Sequence, residues 1–527
     1  MSTIPFRATN YFSSFICDYL EGHADLKPFY NRFPNIDNFS AQIEEKRVSV
    51  QGESRTILSN VLKEQYSALE TSNSTAKNIE LLKQRNTFTI TTGHQLNLFT
   101  GPLYFLYKII STINLCEELR TKHPEHNFVP VYWMATEDHD FEEINYFNFK
   151  GSKVQWNRDF GGAVGELSTE GLEDVFEKFS EKLGPGKSAT YLRELFEKAY
   201  LGHSNLADAT RFLANELFGA YGLVIVDAND KQLKKLFVPY VQQELLEQTS
   251  FKAVSKTIAA FPSDYKIQVN PREINLFYIT EGIRERIIFE DDVYSVNNTT
   301  ISWTKKELLK HLYEVPGRFS PNVLLRPLYQ EVVLPNLCYI GGGGELAYWF
   351  EMKSMFAEFG VVFPMLLLRN SALMITEAQQ KKLDKLNLST SEFFLKQTDL
   401  LAHKTKELSE VQIDFSSQKK FLKNQFKELY EIAEKTDKSF VGAVAAQEKK
   451  QLNGLDALEK RLLRAEKRKF KEKLNSYTSL QDELFPNQSL QERNINFSEL
   501  YLEYGTELIP ILKKELNPLS DEFVVVS

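Results

Sequence analysis

Apolar positions along this chain change their spacing several times, and each change predicts a different element. From Ile57 to Leu82, Leu, Lys, Glu and Gln recur at helical spacing, so the first eighty-odd residues read as mostly helical. Phe88-Thr-Ile-Thr-Thr92 then alternates and is β-branched, which predicts a strand. Beyond Pro102, Leu103, Leu106, Tyr107, Ile110, Ile113 and Leu119 share one helix face. Pro102 suits the first turn of that helix, where its missing N–H costs nothing. Phe128 to Met134 is the next apolar run. Strand, helix and strand within about 45 residues form a βαβ unit and imply a parallel crossover.

Further strands are predicted at Gly222–Asp227, at Val332 to Ile340 ahead of the run Gly341–Gly344, and at Val361 to Leu368. Two insertions are expected among them. One covers residues 146–200 and opens on aromatic and glycine-rich text. The other covers residues 264–312 and contains short antiparallel strands at Tyr265–Val269, Ile274–Ile279 and Arg286–Phe289, with Gly282 at a turn. The pattern thus predicts an α/β core over residues 1–375, with N-terminal helices ahead of the sheet. From 376 to 480 the text is proline-free and dense in Lys, Glu, Gln and Leu; Leu452, Leu455, Leu458 and Leu462 fall on one helical seam. That predicts an arm of long antiparallel helices, a coiled coil. Residues 481–527, ending in Phe523–Val526, are expected to return to the core.

Composition narrows the class. A chain of 527 residues exceeds what one core usually supports. A formal charge of −8 argues against a sequence-independent nucleic-acid binder, yet leaves room for small anions held by local cations. Cys17, Cys116 and Cys338 lie far apart, so neither a cysteine zinc site nor a disulfide framework is expected. The start lacks a basic region followed by an apolar core, and no apolar run is long enough to span a bilayer. The expectation is a cytoplasmic protein without membrane contact.

Chemistry concentrates at three strand ends. The first is Thr91-Thr-Gly-His-Gln-Leu-Asn-Leu-Phe-Thr-Gly-Pro102, followed by Lys108. Gly93 and Gly101 bracket a loop before a helix, where free N–H groups and the helix dipole suit phosphate or carboxylate. Thr92, His94 and Gln95 add neutral groups, and Lys108 adds charge. A tight turn with His94 capping the helix is the structural alternative. The second stretch is Trp133 followed by Glu137-Asp-His-Asp-Phe-Glu-Glu143, five carboxylates around one imidazole. Asp138, His139 and Asp140 are candidates for general-base work or for capturing an ammonium, and Glu137 for binding. A solvated acidic loop, or a metal at His139 and Asp140, is the competing explanation. The third is Arg326-Pro-Leu-Tyr with Gly341-Gly-Gly-Gly-Glu345. Gly342 and Gly343 permit close backbone approach, Arg326 can hold an anion, and Glu345 stands beside them. No Gly-Lys-Ser/Thr follows, so this is no Walker loop. The basic run Lys460–Lys473 reads as a solvated helix face, given its interleaved acids.

Taken together, Thr92-Gly-His-Gln95 with Phe99-Thr-Gly-Pro102, Glu137-Asp-His-Asp140, Arg326-Pro327, Val333-Leu-Pro335, the glycine run to Glu345 and Gln491-Glu-Arg493 resemble the bacillithiol-biosynthesis family of cysteine ligases. The resemblance spans most of the chain; His94 departs from it, since members often carry a second Gln there. It implies a Rossmann-like, nucleotidyltransferase or class I synthetase-like core with inserted connecting segments, a coiled-coil domain and a homodimer. It implies the addition of cysteine to glucosaminyl malate as the last step in making a low-molecular-weight thiol. No Lys-Met-Ser-Lys-Ser-like loop occurs, so no cofactor is assigned outright and ATP or another nucleotide stays open. A nucleotide-binding dimeric scaffold and a metal hydrolase centred on His139 are the other classes compatible with the text.

Overall fold

The structure, a computed structural model, describes residues 2–50 and 52–527. Contacts divide the chain into two compact units. One contains Tyr11–Met374 and Gln491–Val526 with the N-terminal strand Ser2–Pro5, and the other is essentially Ile375–Leu490.

The first unit is built on strands β1 (Thr87–His94), β2 (Asn127–Met134), β3 (Val224–Asp227), β4 (Asn336–Gly341) and β5 (Met365–Leu368). They lie in the order β5-β4-β1-β2-β3, and all four pairings are parallel. Helices α1 (Tyr104–Lys122), α2 (Lys231–Glu247), α3 (Leu325–Val333) and α4 (Gly343–Phe350) belong to the same unit. Every residue of β1 is buried, as a central strand covered on both faces must be. Phe88 and Ile90 of β1 join Leu115 and Leu119 of α1, Phe128, Leu337, Ile340 and Met365 in one core. The threonines that lend β1 its branching keep their hydroxyls paired: Thr91 Oγ1 donates to Asn336 Oδ1 at 2.9 Å, and Thr92 Oγ1 to the Ile340 carbonyl at 2.7 Å. Strand order reverses between β1 and β4, and the crevice outside the carboxyl ends at such a switch point is where open α/β sheets bind ligands.

Three strand expectations are corrected. Val332 and Val333 close helix α3, whose first turn is capped by Asn322 Oδ1; Pro335 then separates the helix from β4. An unbroken apolar run has no period by which to distinguish a buried helix end from a strand. In the Val361–Leu368 run only Met365–Leu368 is strand, after Pro364. Tyr265–Val269 forms no strand, because the N–H groups of Gln268 and Val269 are taken by the Glu351 carboxylate at 2.7 and 3.3 Å. The antiparallel sheet of this region runs Ser302–Trp303, Val293–Val296, Ile283–Glu290, Leu276–Thr280, Phe319–Pro321. Gly282, at φ +69°, turns its central hairpin. The chain ends also pair, with Glu522–Val526 between Ser2–Pro5 and Ala372–Met374.

In the second unit, helices Ser416–Ala433 and Lys438–Lys469 form an antiparallel hairpin. Lys419 pairs with Glu459, and Tyr430 with Glu448, on opposite strands of the hairpin. Phe426, Ala433 and Val444 are its buried centre. Leu458 of the expected leucine seam is exposed, while Leu452, Leu455 and Leu462 are half-buried. Among the described residues no helix is long and apolar enough to cross a membrane.

Candidate active site

The ends of β1, β2 and β4 surround one cavity of about 810 Å³. Of the residues singled out from sequence, Gly93, His94, Gln95, Lys108, Trp133, Glu137, Asp138, His139, Arg326, Gly342, Gly343 and Glu345 lie on its wall. Thr92, Gly101 and Asp140 do not. Thr92 ties β1 to β4, and Asp140 is exposed ahead of the short helix Phe141–Ile144.

At the β1 end, Gly93 is needed for close approach, since a Cβ there would lie 3.2 Å from Tyr339 Oη and 3.4 Å from Arg326 Nη1. The Gly93 carbonyl accepts from Lys108 Nζ at 2.7 Å. Lys108 is buried and ion-paired with Glu345 Oε2 at 2.6 Å. Glu345 also accepts from Tyr339 Oη at 2.7 Å and from the Gly342 N–H at 2.8 Å. Burial pulls the Lys108 ammonium below its ordinary pKa, with Glu345 opposing. Burial would raise Glu345, but Lys108 and these hydrogen bonds outweigh it and leave the carboxyl below its usual range. Burial, then the neighbouring Lys108 charge, push His94 down to about 3, so its ring is neutral. One ring nitrogen bonds the Thr100 backbone, while Nε2 has no hydrogen-bond partner.

The intervening loop is closed by the protein itself. The N–H groups of Phe99, Gly101 and Leu103 are bound by Tyr200 Oη, the Leu98 carbonyl and the Ile495 carbonyl. The Phe99 ring sits among Phe147, Phe179, Phe196 and Phe497. The free donors expected at the start of α1 are thus spent inside the fold, and His94 does not cap the helix.

At the β2 end, Trp133 is buried edge-on to Tyr329. Glu137 pairs with Lys234 of α2 at 2.5 Å. Asp138 accepts from the His139 N–H at 2.8 Å and from Gln95 Nε2 at 2.9 Å, and Gln95 Nε2 also reaches Glu143 at 2.8 Å. Burial would raise the Asp138 carboxyl; its contacts with His139, the Gln95 hydrogen bond and the Arg284 charge overcome this and hold it far below the carboxylate range. Arg284 Nη1 donates to His139 Nδ1 at 2.7 Å, so the imidazole proton is on Nε2. A metal at His139 would have to displace that guanidinium.

Cations dominate the wall. Lys108, Arg272, Arg284, Arg286, Arg326, Arg369 and Arg493 face four carboxylates, and Glu137 and Glu345 among the four are already neutralised by lysines. Arg326 is half-buried with Nη1 on Gln330 Oε1 at 3.2 Å; Arg369 is buried on Glu492 at 2.7 Å. Arg326 Nη2 and Arg369 Nε have no hydrogen-bond partner, and buried donors of this kind call for one. A locally basic cavity in a chain of net charge −8 suits an oxyanion.

Sequence reading missed Arg284, Arg369 and the other insertion arginines. Arg369 directly follows β5, so the strand-end rule would have flagged it. Arg284 carries no local signal, because its partner His139 is reached only through tertiary packing.

Fold and cavity together define a Rossmann-like protein with a cation-lined cavity at its switch point. The family description "Bacillithiol biosynthesis BshC, N-terminal Rossmann-like domain" matches residues 1–370, and "Bacillithiol biosynthesis BshC, C-terminal coiled-coil domain" matches residues 372–527. Proteins named "Putative cysteine ligase BshC" are similar over nearly the whole chain. That of Flavobacterium johnsoniae is 58% identical over 99% of both chains. That of Christiangramia forsetii is 58% identical over 99% of this chain and 98% of its own, and that of Cytophaga hutchinsonii is 37% identical over 96% and 95%. The chain belongs to the BshC family of bacillithiol biosynthesis.

Proposed function

We propose that this cavity joins cysteine to glucosaminyl malate through an amide bond, the last step of bacillithiol formation, in a cytoplasmic homodimer. The observation that carries the reading is the surplus of cations at the switch point, with unsatisfied donors on Arg326 and Arg369, in a member of this family. Carboxylates are the groups that both substrates bring. Arg326 and Arg369 serve as their anchors, while Lys108 holds Glu345 and the end of β1 in place.

Asp138, held ionised beside Gln95 and Glu143, suits an ammonium better than it suits proton abstraction, since a strongly depressed carboxyl is a weak base. His139 offers Nε2–H as a donor while Arg284 occupies Nδ1. Neutral His94 offers the lone pair of Nε2 as a hydrogen-bond acceptor. Amide formation from a free carboxylate needs its oxygen converted into a leaving group, and a nucleoside triphosphate such as ATP would supply that chemistry.

The test is purified protein with cysteine, glucosaminyl malate and each nucleoside triphosphate in turn, read by product mass. No thiol product under any condition, with normal bacillithiol in a deletion strain, sinks the proposal.

A further inference from the structure

Residues Gln268–Asn275 have no regular structure, yet the segment is held at both ends by buried carboxylates. At its start, Glu351 accepts the N–H groups of Gln268 and Val269. At its end, Glu244 of α2 accepts the Asn275 N–H at 3.1 Å and the Ser250 N–H and hydroxyl at 2.9 and 2.6 Å. Fully buried Asn275 closes the segment on itself. Its Oδ1 accepts from the Arg272 N–H at 3.1 Å, and its Nδ2 donates to the Arg272 carbonyl at 2.7 Å. Asn275 Oδ1 also accepts from Asn322, the residue that caps α3 and so places Arg326. Irregular backbone fixed by this many buried partners is built to present something.

What it presents is Asn270 and Arg272 on the cavity wall, which Arg286 of the strand Ile283–Glu290 also lines. Among the described residues neither Arg272 nor Arg286 has a side-chain hydrogen bond or an ion-pair partner, unlike Arg284 on His139, Arg326 on Gln330 and Arg369 on Glu492. We infer that Arg272 and Arg286 form a second, outer oxyanion subsite of the cavity, and that Glu351 and Asn275 are positioning residues that hold Arg272 toward it. The ligand is a carboxylate or phosphate group borne by a substrate. This deepens the ligation reading, on which it rests only for the identity of the substrate.

The test measures binding and not turnover. The full chain is titrated calorimetrically with L-malate and with inorganic pyrophosphate, beside an Arg272→Ala/Arg286→Ala double variant and a Glu351→Gln variant. Loss of charge-assisted hydrogen bonds predicts about tenfold or more weakening in the double variant. Malate weakened alone assigns the subsite to carboxylates, and pyrophosphate weakened alone assigns it to phosphates. Glu351→Gln should weaken the same probe, while Arg272→Lys in a Glu351 wild-type background recovers part of the binding. Unchanged affinity in the double variant overturns the inference, as does absence of binding of either probe to the wild-type chain. Product formation by the wild-type chain is scored separately, so failure of the ligation reading leaves a distinct signature.

Discussion

Two glycine-rich strand-to-helix connections look alike in sequence and do opposite work. In the connection after β1, Gly93 to Gln95 line the cavity but Leu98 to Leu103 is sealed: the Phe99, Gly101 and Leu103 N–H groups bind Tyr200, Leu98 and Ile495, and Asn496 Nδ2 donates to the Gly101 carbonyl at 2.6 Å. The connection after β4, Gly341 to Glu345, opens on the cavity, and Glu345 clasps Lys108 beneath it. Gly101 in the first serves backbone geometry, whereas Gly93 and the glycines of the second leave room. A strand-end glycine therefore marks a ligand site only where its surroundings leave its neighbours' donors unspent.

The largest break comes from the lysine shared by both connections. Lys108→Met leaves Glu345 charged and without its cation, so the chain should lose about 3–5 kcal/mol in urea unfolding and also lose product formation. A wild-type midpoint would show that the pair does not brace the two strand ends. Gly101→Ala follows. With φ at +63° and Asn97 Cβ 2.6 Å from the added methyl, it should cost about 1–3 kcal/mol or more.

His94→Gln probes acid lability. The His94 pKa falls from 6.5 in the unfolded chain to about 3 in the folded one, so the folded state binds fewer protons. That contribution is complete above pH 6.5 and is lost as pH falls toward 3. The variant should gain on wild type over this window, by at most about 1.4 kcal/mol per pH unit. Urea midpoints that stay parallel from pH 7 to 4 would refute the buried, neutral ring. Smallest is Gly344→Ala. Nothing lies within 4 Å of the added methyl and the site is helical, so melting should stay unchanged or rise slightly. A clear loss would erase the contrast with Gly101.

The parallel core was legible because β1 and β2 are β-branched or apolar runs that lead into polar loops, the pattern of strands buried on both faces. The start of β4 was not, since Val332 and Val333 are as apolar in a helix end as in a strand. The side chains that the strand ends bring to the cavity wall were legible too, because strand ends concentrate chemistry in this fold. What stayed hidden was which groups were already engaged. Gln95 on Asp138, Lys234 on Glu137 and Arg284 on His139 join residues far apart in sequence, and no local spacing records them.

On the proposed function, the cavity with Arg326 at its wall is where the thiol is made. The most direct test is the bacillithiol content of a deletion strain that carries either the wild-type chain or Arg326→Ala at equal protein level. Wild type should restore the thiol and the variant should leave at least about a tenfold shortfall, from the loss of one charged anchor. Full restoration by Arg326→Ala would contradict it.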